Sequence, residues 1–252
     1  MNVAAINNYL VEWLQEKVQS AGCRGLVLGI SGGIDSAVAA AIAKEAFPDN
    51  CLGLVMPCES DIQDVTDGRL VAEFLKIPYH EIALDDVFKS LLDTFATHIK
   101  PDPALERLLK ANIKPRLRMT CLYYFAQANH YLVLGTSNKS EIMVGYDTKH
   151  GDDGVDLQVL GDLRKDQVYE LAKYLNIPQP IIERKPSAGL WIGQTDEDEM
   201  GISYKDLDEY IRSGQGDVQT IAKIQALHEK SAHKRQMPPI AILPANFGEN
   251  PS

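Results

Sequence analysis

The stretch GLVLGISGGIDSAVAAAIAKEAF, residues 25–47, decides the fold class of this 252-residue chain. Residues 25–30 form a short apolar run bounded by glycines, which is typical of a strand buried on both faces of a parallel sheet. Residues 37–47 are rich in alanine and predict a helix. The segment 31–36 between them carries adjacent glycines, so it predicts a tight turn from the strand into the helix.

The same alternation of strand and helix continues on both sides of this stretch. Strands are predicted at 51–56, 79–84 and 131–135, and helices at 2–20, 60–75, 87–97, 116–129 and 165–176. The helical segment before 116–129 is expected to end near residue 114, because Pro115 disfavours helical geometry at the residue before it. Alternating strands and helices predict βαβ units with right-handed crossovers. The expected fold is therefore α/β, a doubly wound, Rossmann-like parallel sheet with helices on both faces.

The chain beyond residue 176 is less regular. Residues 178–201 contain three prolines and three glycines without periodicity, and a connection of that length is either functional or disordered. Helices are expected again at 203–211 and 218–230, followed by an extended, proline-rich tail from Met237. By length the chain could hold one large domain or two small ones. We take residues 1–252 as a single domain.

Composition excludes several classes of protein. Hydrophobic residues make up 45% of the chain and charged residues 24%, which is typical of globular proteins and disfavours a disordered, collagen-like or coiled-coil chain. The net charge of −10 disfavours nucleic acid as a partner. The sequence contains neither a recognisable leader nor an apolar run long enough to span a membrane. The four cysteines have no metal-binding spacing and are better interpreted as core residues, so we expect a reducing, cytoplasmic location.

The turn after the first strand has the properties of a phosphate-binding loop. Its glycines let a phosphate approach the backbone, and the following helix directs free N–H groups at the anion. The loop lacks the lysine of a Walker A motif, and a carboxylate beside polyphosphate requires a cation such as Mg²⁺. The alternative is an ordinary tight turn with a solvated first-turn aspartate. The candidate loop residues are Gly29, Ile30, Ser31, Gly32, Gly33, Ile34, Asp35 and Ser36.

Five motifs in order resemble those of one enzyme family. They are GISGGIDS at 29–36, NIKPRLRM at 112–119, GTSNKSE at 135–141, GYDTKHGD at 145–152 and HKR at 233–235. Together they are similar to the NAD synthetases of the N-type ATP pyrophosphatase superfamily, over about residues 3–240. The resemblance implies that ATP adenylates the carboxylate of deamido-NAD, pyrophosphate leaves, and ammonia displaces AMP to give NAD.

The resemblance also implies site residues. Thr136, Lys165 and Ser187 join the loop in binding ATP, and Asp35 with Glu141 holds Mg²⁺. Many relatives carry threonine where this chain has Ser187, which keeps the hydroxyl and loses a methyl contact. No residue is assigned as a general acid or base. The residues implied in binding deamido-NAD are Arg116, Lys149, Asp156, His233 and Lys234.

Further expectations concern partners and alternatives. Residues 185–201 resemble a mobile loop that closes over the reaction centre, and the family forms homodimers, for which residues 104–129 are a plausible contact surface. Free ammonia is the expected nitrogen donor, with a separate amidase subunit left open. The alternatives are a related ATP pyrophosphatase, GMP synthetase-like or tRNA-modifying, and a non-catalytic adenine-nucleotide sensor.

Overall fold

The computed structural model describes residues 1–191 and 193–243. Its centre is a parallel sheet of five strands in the order β3-β2-β1-β4-β5. The strands are β1 (Gly25–Gly29), β2 (Cys51–Val55), β3 (Tyr79–Glu81), β4 (Tyr131–Gly135) and β5 (Leu157–Gln158). Val27 of β1 is in register with Leu52 of β2 and Val133 of β4, so β1 is the central strand. The predicted α/β fold with a parallel sheet is confirmed.

Helices connect the strands and follow the last of them. They are α1 (Val3–Ser20), α2 (Ile34–Ala46), α3 (Ile62–Phe74), α4 (Asp85–Ala96), α5 (Pro103–Asn129), α6 (Lys139–Val144), α7 (Lys165–Tyr174), α8 (Gln179–Glu183), α9 (Asp196–Met200), α10 (Tyr204–Ser213) and α11 (Val218–Lys230), followed by a 3-10 helix at Ala232–Lys234. In the described ranges, no helix is both long enough and apolar enough to cross a bilayer.

The sheet has a hydrophobic core on each face. Leu26 and Leu28 of β1 pack on the side of α1, α2 and α7, and Val27 packs on the opposite side with Phe88 of α4 and Leu122 of α5. All three β1 side chains are inaccessible to solvent. This two-sided burial is why the central strand is a continuous apolar run rather than an alternating one.

The expected helix break at Pro115 is wrong. Residues 103–129 form one helix with Pro115 inside it. The cost of the lost backbone hydrogen bond is offset by tertiary packing, since Ala111, Lys114 and Pro115 are all buried. The point where a Cβ on Gly151 would lie is 3.0 Å from Pro115 Cβ, so the proline packs closely against the loop after α6.

Other differences are small. The sequence did not predict β5, because two residues carry no periodic signal. The irregular segment 178–201 contains the short helices α8 and α9. Ile192, in the expected mobile loop, and residues 244–252, in the expected extended tail, lie outside the described residues.

Candidate active site

The loop between β1 and α2 has the geometry of a phosphate cradle. Gly32 has a φ of +82°, and a Cβ at that position would lie 2.7 Å from Asp67 Cβ and 2.8 Å from the Asp64 carbonyl oxygen. Only glycine therefore allows the loop to pack this closely on α3. Gly33 caps α2 without a side-chain hydrogen bond. In the described structure, the first-turn amides of Ile34, Asp35 and Ser36 have no acceptor, as expected where a helix N-terminus faces an anion site.

The two serines of the loop hold its shape. Ser36 Oγ accepts a hydrogen bond from the Ser31 amide at 3.2 Å and donates to the Gly33 carbonyl at 2.9 Å. Ser31 Oγ accepts from the Gly33 amide at 3.3 Å. Two loop amides are thus occupied by seryl oxygens, and the first turn of α2 supplies the free ones.

Two carboxylates and a lysine from three helices meet beside this loop. Lys165 Nζ lies 2.5 Å from Asp35 Oδ2 and 3.3 Å from Glu141 Oε1. Asn138 Nδ2 donates to Asp35 Oδ1 at 2.9 Å, and the Asn138 amide donates to Glu141 Oε2 at 3.1 Å. The sequence separations are large, and the contacts exist because β1 and β4 are neighbours whose carboxyl ends meet at one edge.

A third carboxylate joins this cluster from the segment 185–201. Tyr204 Oη lies 3.1 Å from Glu141 Oε1 and 2.9 Å from Asp196 Oδ2, and it donates its one proton between these two carboxylates. Asp196 Oδ1 is buried and has no hydrogen-bond partner in the described structure. Asp196 lies in the segment 185–201 that was expected to close over the reaction centre, but it was not predicted as a site residue, because only the tertiary fold brings its carboxylate to this cluster.

The charges in this cluster do not balance. Burial raises the pKa of the Glu141 carboxyl, and the nearby Asp35 raises it further. Burial alone would lower the pKa of Lys165, but Asp35 and Glu141 outweigh it and the pKa lies above its ordinary value. Burial also raises the pKa of Asp196. Three carboxylates around one ammonium leave an excess of negative charge, which favours a further cation.

Oxygen donors of this kind fit magnesium. Mg²⁺ is usually held by one or two carboxylates together with substrate phosphates. The described residues contain no cluster of three or more side chains arranged as a complete metal cage. The convergence of Asp35 and Glu141 and the unpaired oxygen of Asp196 match a cation that shares its ligands with a bound nucleotide.

The loop and the acidic cluster line one cavity of about 560 Å³, which is large enough for a nucleotide-sized ligand. Its wall contains most of the residues predicted to bind ATP and metal, and one of those predicted to bind deamido-NAD. Those residues are Gly29, Ile30, Ser31, Gly33, Ile34, Asp35, Ser36, Thr136, Glu141, Lys165, Ser187 and Lys234.

The remaining predicted residues lie outside the cavity wall. Gly32 packs behind the loop against α3. Arg116, Lys149 and His233 form an outer cluster, in which the Arg116 guanidinium donates to the Lys149 carbonyl at 3.2 Å and Lys149 Nζ donates to the His233 carbonyl at 2.9 Å. Asp156 accepts hydrogen bonds from the Val133 amide at 2.8 Å and from Tyr123 Oη, so in this structure it secures the edge of β4.

The segment 185–201 is held over the cavity from two sides. Arg184, at its base, forms ion pairs with Asp64 and Asp67 of α3. Lys114 of α5 donates to the Leu190 carbonyl at 2.9 Å. Neither cation was predicted as a site residue, although Lys114 lies in the quoted motif 112–119, because only the tertiary fold shows these contacts.

The family of the chain follows from comparison with known proteins. The NAD synthase family model matches residues 6–238. The chain belongs to the NAD synthase family. An NH(3)-dependent NAD(+) synthetase of Syntrophomonas wolfei is 55% identical over 97% of this chain and 98% of its own. One from Carboxydothermus hydrogenoformans is 47% identical over 93% and 96%.

Solved structures of NAD synthase relatives share the fold. An NMN synthetase from Francisella tularensis is 36% identical with a TM-score of 0.89, covering 97% of this chain and 99% of that one. An NH3-dependent NAD synthetase from Campylobacter jejuni is 32% identical with a TM-score of 0.77, covering 96% and 100%. These likenesses support the Rossmann-like ATP pyrophosphatase architecture of the sheet.

Proposed function

We propose that this chain is an ammonia-dependent NAD synthetase, which amidates deamido-NAD to NAD at the expense of ATP. The observation that supports this proposal most strongly is that the phosphate loop and the cluster of Asp35, Glu141 and Lys165 line the same cavity. That pairing suits the release of pyrophosphate, because loop amides and a cation can neutralise the charge that departs. The relatives described as NH(3)-dependent NAD(+) synthetases support the same reaction.

The reaction has two steps. A carboxylate oxygen of deamido-NAD attacks the α-phosphorus of ATP, and the bond from that phosphorus to the bridging oxygen of pyrophosphate breaks. The nitrogen of ammonia then attacks the acyl carbon, the bond from that carbon to the AMP oxygen breaks, and a proton is lost from nitrogen. We assign positioning and charge stabilisation to the protein, since a free ammonia molecule needs no general base to attack an acyl adenylate.

The proposed ATP site combines the phosphate loop with Thr136, Lys165 and Ser187, all in the cavity wall. Asp35 and Glu141 would hold Mg²⁺, which when bound supplies Lewis-acid stabilisation of the phosphate oxygens. Lys165 already neutralises part of the carboxylate charge, so the buried cluster can exist before nucleotide arrives.

The proposed deamido-NAD site extends from the cavity to the outer cluster. Lys234 reaches from the cavity wall to the Gly145 carbonyl, and Arg116, Lys149 and His233 continue outward from it. The three cations Arg116, Lys149 and Lys234 suit a ligand that carries a pyrophosphate and a carboxylate. Asp156 is included in the proposed site because of the family resemblance. In this structure its carboxylate accepts hydrogen bonds from the Val133 amide of β4 and from Tyr123 Oη.

Replacing Lys149 tests the substrate site. Lys149→Ala removes an ammonium whose hydrogen bonds, among the described residues, go to His233. We expect the KM for deamido-NAD to rise by the equivalent of about 1–3 kcal/mol, the usual value of a charged hydrogen bond, with little change in the KM for ATP. Lys89→Ala, on the exposed face of α4, is the matched control. An unchanged KM for deamido-NAD would remove Lys149 from the site.

We further propose that residues 185–201 act as a lid on the single domain 1–252. The lid residues Ser187 and Asp196 face the cavity, while Arg184 and Lys114 anchor the segment to the body of the protein. A closed lid would exclude water, which otherwise hydrolyses the adenylate. Free ammonia is the proposed nitrogen donor. Cytoplasmic location stays a prediction.

A homodimer is proposed from the exposed apolar residues of α5. Leu105 and Leu109, one turn apart on α5, are each about half exposed, and grouped exposed apolar side chains mark interaction surfaces. Phe95 and Ile99 near the end of α4 are exposed as well. We expect sedimentation equilibrium to give twice the chain mass of 27.9 kDa. A monomer at micromolar concentration would contradict the dimer proposal.

The function is tested by incubating the protein with ATP, Mg²⁺, ammonium and deamido-NAD. We expect NAD, AMP and pyrophosphate in equal amounts. Nicotinic acid mononucleotide is the comparison substrate, since the Francisella neighbour is described as an NMN synthetase. Faster turnover of the mononucleotide than of deamido-NAD would identify the protein as an NMN synthetase instead. ATP binding without substrate-stimulated pyrophosphate release would instead favour a nucleotide sensor.

A further inference from the structure

Arg118 is a cation in the cavity wall that the reaction described above does not use. It lies on α5 next to Pro115 and Met119, which also line the cavity. Its Nε donates to the Met56 carbonyl at 3.0 Å, and Nη2 donates to Ser60 Oγ at 3.2 Å. Both acceptors are neutral, and no carboxylate oxygen of the described residues lies within ion-pair distance of the guanidinium.

The other shielded cations of the cavity are already paired. Lys165 contacts Asp35 and Glu141, and Arg184 contacts Asp64 and Asp67. Lys234 contacts Asp147. Arg118 has no such paired carboxylate among the described residues. Burial lowers the pKa of its guanidinium below the ordinary value, although Asp152, Asp64 and Asp85 act on it from beyond ion-pair distance. A shielded guanidinium that is not paired directly with a carboxylate is costly, so an anion is the expected partner.

The contacts of Arg118 place it near the start of the phosphate loop. Met56, its main acceptor, directly follows β2, and β2 is paired with β1. Met56 Cε lies 3.3 Å from the point where a Cβ on Gly29 would lie. The residue that accepts the hydrogen bond from Arg118 therefore packs against the start of the phosphate loop. Lys165 approaches that loop from the β4 side of the cavity, and Arg118 approaches from the β2 side.

We propose that Arg118 donates a hydrogen bond to a non-bridging oxygen of the α-phosphate of ATP. The loop amides and the carboxylate cluster serve the departing pyrophosphate, whereas Arg118 lies on the helix that forms the opposite wall. As the carboxylate oxygen bonds to the α-phosphorus and the bond to pyrophosphate breaks, negative charge gathers on the non-bridging oxygens. The two bonds to Met56 and Ser60 hold the planar guanidinium in one orientation, leaving further N–H donors for the ligand.

This inference rests on the proposed function and is tested with the Rp and Sp isomers of ATP carrying sulfur on the α-phosphate. The variants are Arg118→Gln and Arg118→Lys, with Lys110→Gln as control on an exposed face of the same helix. With ATP we expect kcat of Arg118→Gln to fall by about 10²–10³-fold. We expect its ratio of kcat/KM for the two isomers to change at least about tenfold, since one contact to a specific oxygen is lost.

Arg118→Lys keeps the charge but cannot keep both fixed hydrogen bonds, so its isomer ratio should also shift, with a smaller loss of kcat. This variant tests the proposal if Arg118→Gln does not fold. An unchanged ratio and kcat in the folded variants would overturn the proposal and leave Arg118 a structural residue. A raised KM for deamido-NAD with an unchanged isomer ratio would also overturn it, because the anion that Arg118 binds would then be the carboxylate of deamido-NAD. Failure of the wild type to form NAD in the same assay would reject the function instead.

Discussion

Asp35→Asn is expected to abolish turnover while leaving ATP binding nearly intact. The side chain keeps its size, and an oxygen remains to accept the hydrogen bond from Asn138. The lost charge is the one that faces both Lys165 and the proposed magnesium. Because the loop amides that cradle the phosphates are unaffected, the loss falls on the step that releases pyrophosphate, and we expect kcat to fall by about 10²–10³-fold or more.

The measurement combines steady-state NAD formation with calorimetric ATP binding in Mg²⁺. Asp49→Asn, at an exposed position after α2, is the matched control and should behave as wild type. A variant at position 35 with full activity would reject the metal role of Asp35. A variant that loses ATP binding as strongly as turnover would show that the carboxylate shapes the phosphate loop itself.

Lys165→Met is expected to destabilise the fold as well as to remove activity. The methionine fills the space of the lysine stem, but Asp35, Glu141 and Asp196 then share a buried site without a counter-charge. Removing one partner of a buried ion pair costs about 3–5 kcal/mol of unfolding free energy. Lys173→Met, at an exposed position of the same helix, provides the control.

The defect of Lys165→Met should depend on pH in a defined direction. Burial places the pKa of Glu141 above the value of 4.5 that the free carboxyl has. Lys165 lowers the pKa of Glu141 and of Asp196, so its removal raises both further. The folded variant then binds more protons than folded wild type, and its unfolding free energy falls more steeply as pH rises above 4.5. Denaturant unfolding in EDTA at pH 5 and pH 8 should show a larger deficit at pH 8. An equal deficit at both values would contradict the charge argument.

Local sequence was sufficient for the central part of the fold. The apolar run 25–30, the glycine turn and the alanine-rich helix are each determined by neighbours in the chain, and all three lie where they were expected. Pro115 shows the limit of this reasoning. Its local preference for a helix end is outweighed by packing against a loop 36 positions away, at Gly151.

The site was predictable to the extent that its residues occur in motifs. Asp35, Glu141 and Lys165 lie together in the structure, and their roles in binding metal and ATP stay predictions. Asp196 and Arg118 were not predicted as site residues, because their contacts depend on the tertiary fold; Arg118 lies in the quoted motif 112–119, but the resemblance gave it no role. The outer cluster of Arg116, Lys149 and His233 forms, but its role in binding substrate stays a prediction.

The most direct test of the account follows oxygen from the substrate carboxylate. Deamido-NAD labelled with ¹⁸O in that carboxylate is incubated with the protein, ATP, Mg²⁺ and ammonium, and the AMP is analysed by mass spectrometry. If the cavity adenylates the carboxylate, one labelled oxygen appears in the phosphate of each AMP that is formed with NAD. AMP without label, or label in pyrophosphate, would contradict the mechanism.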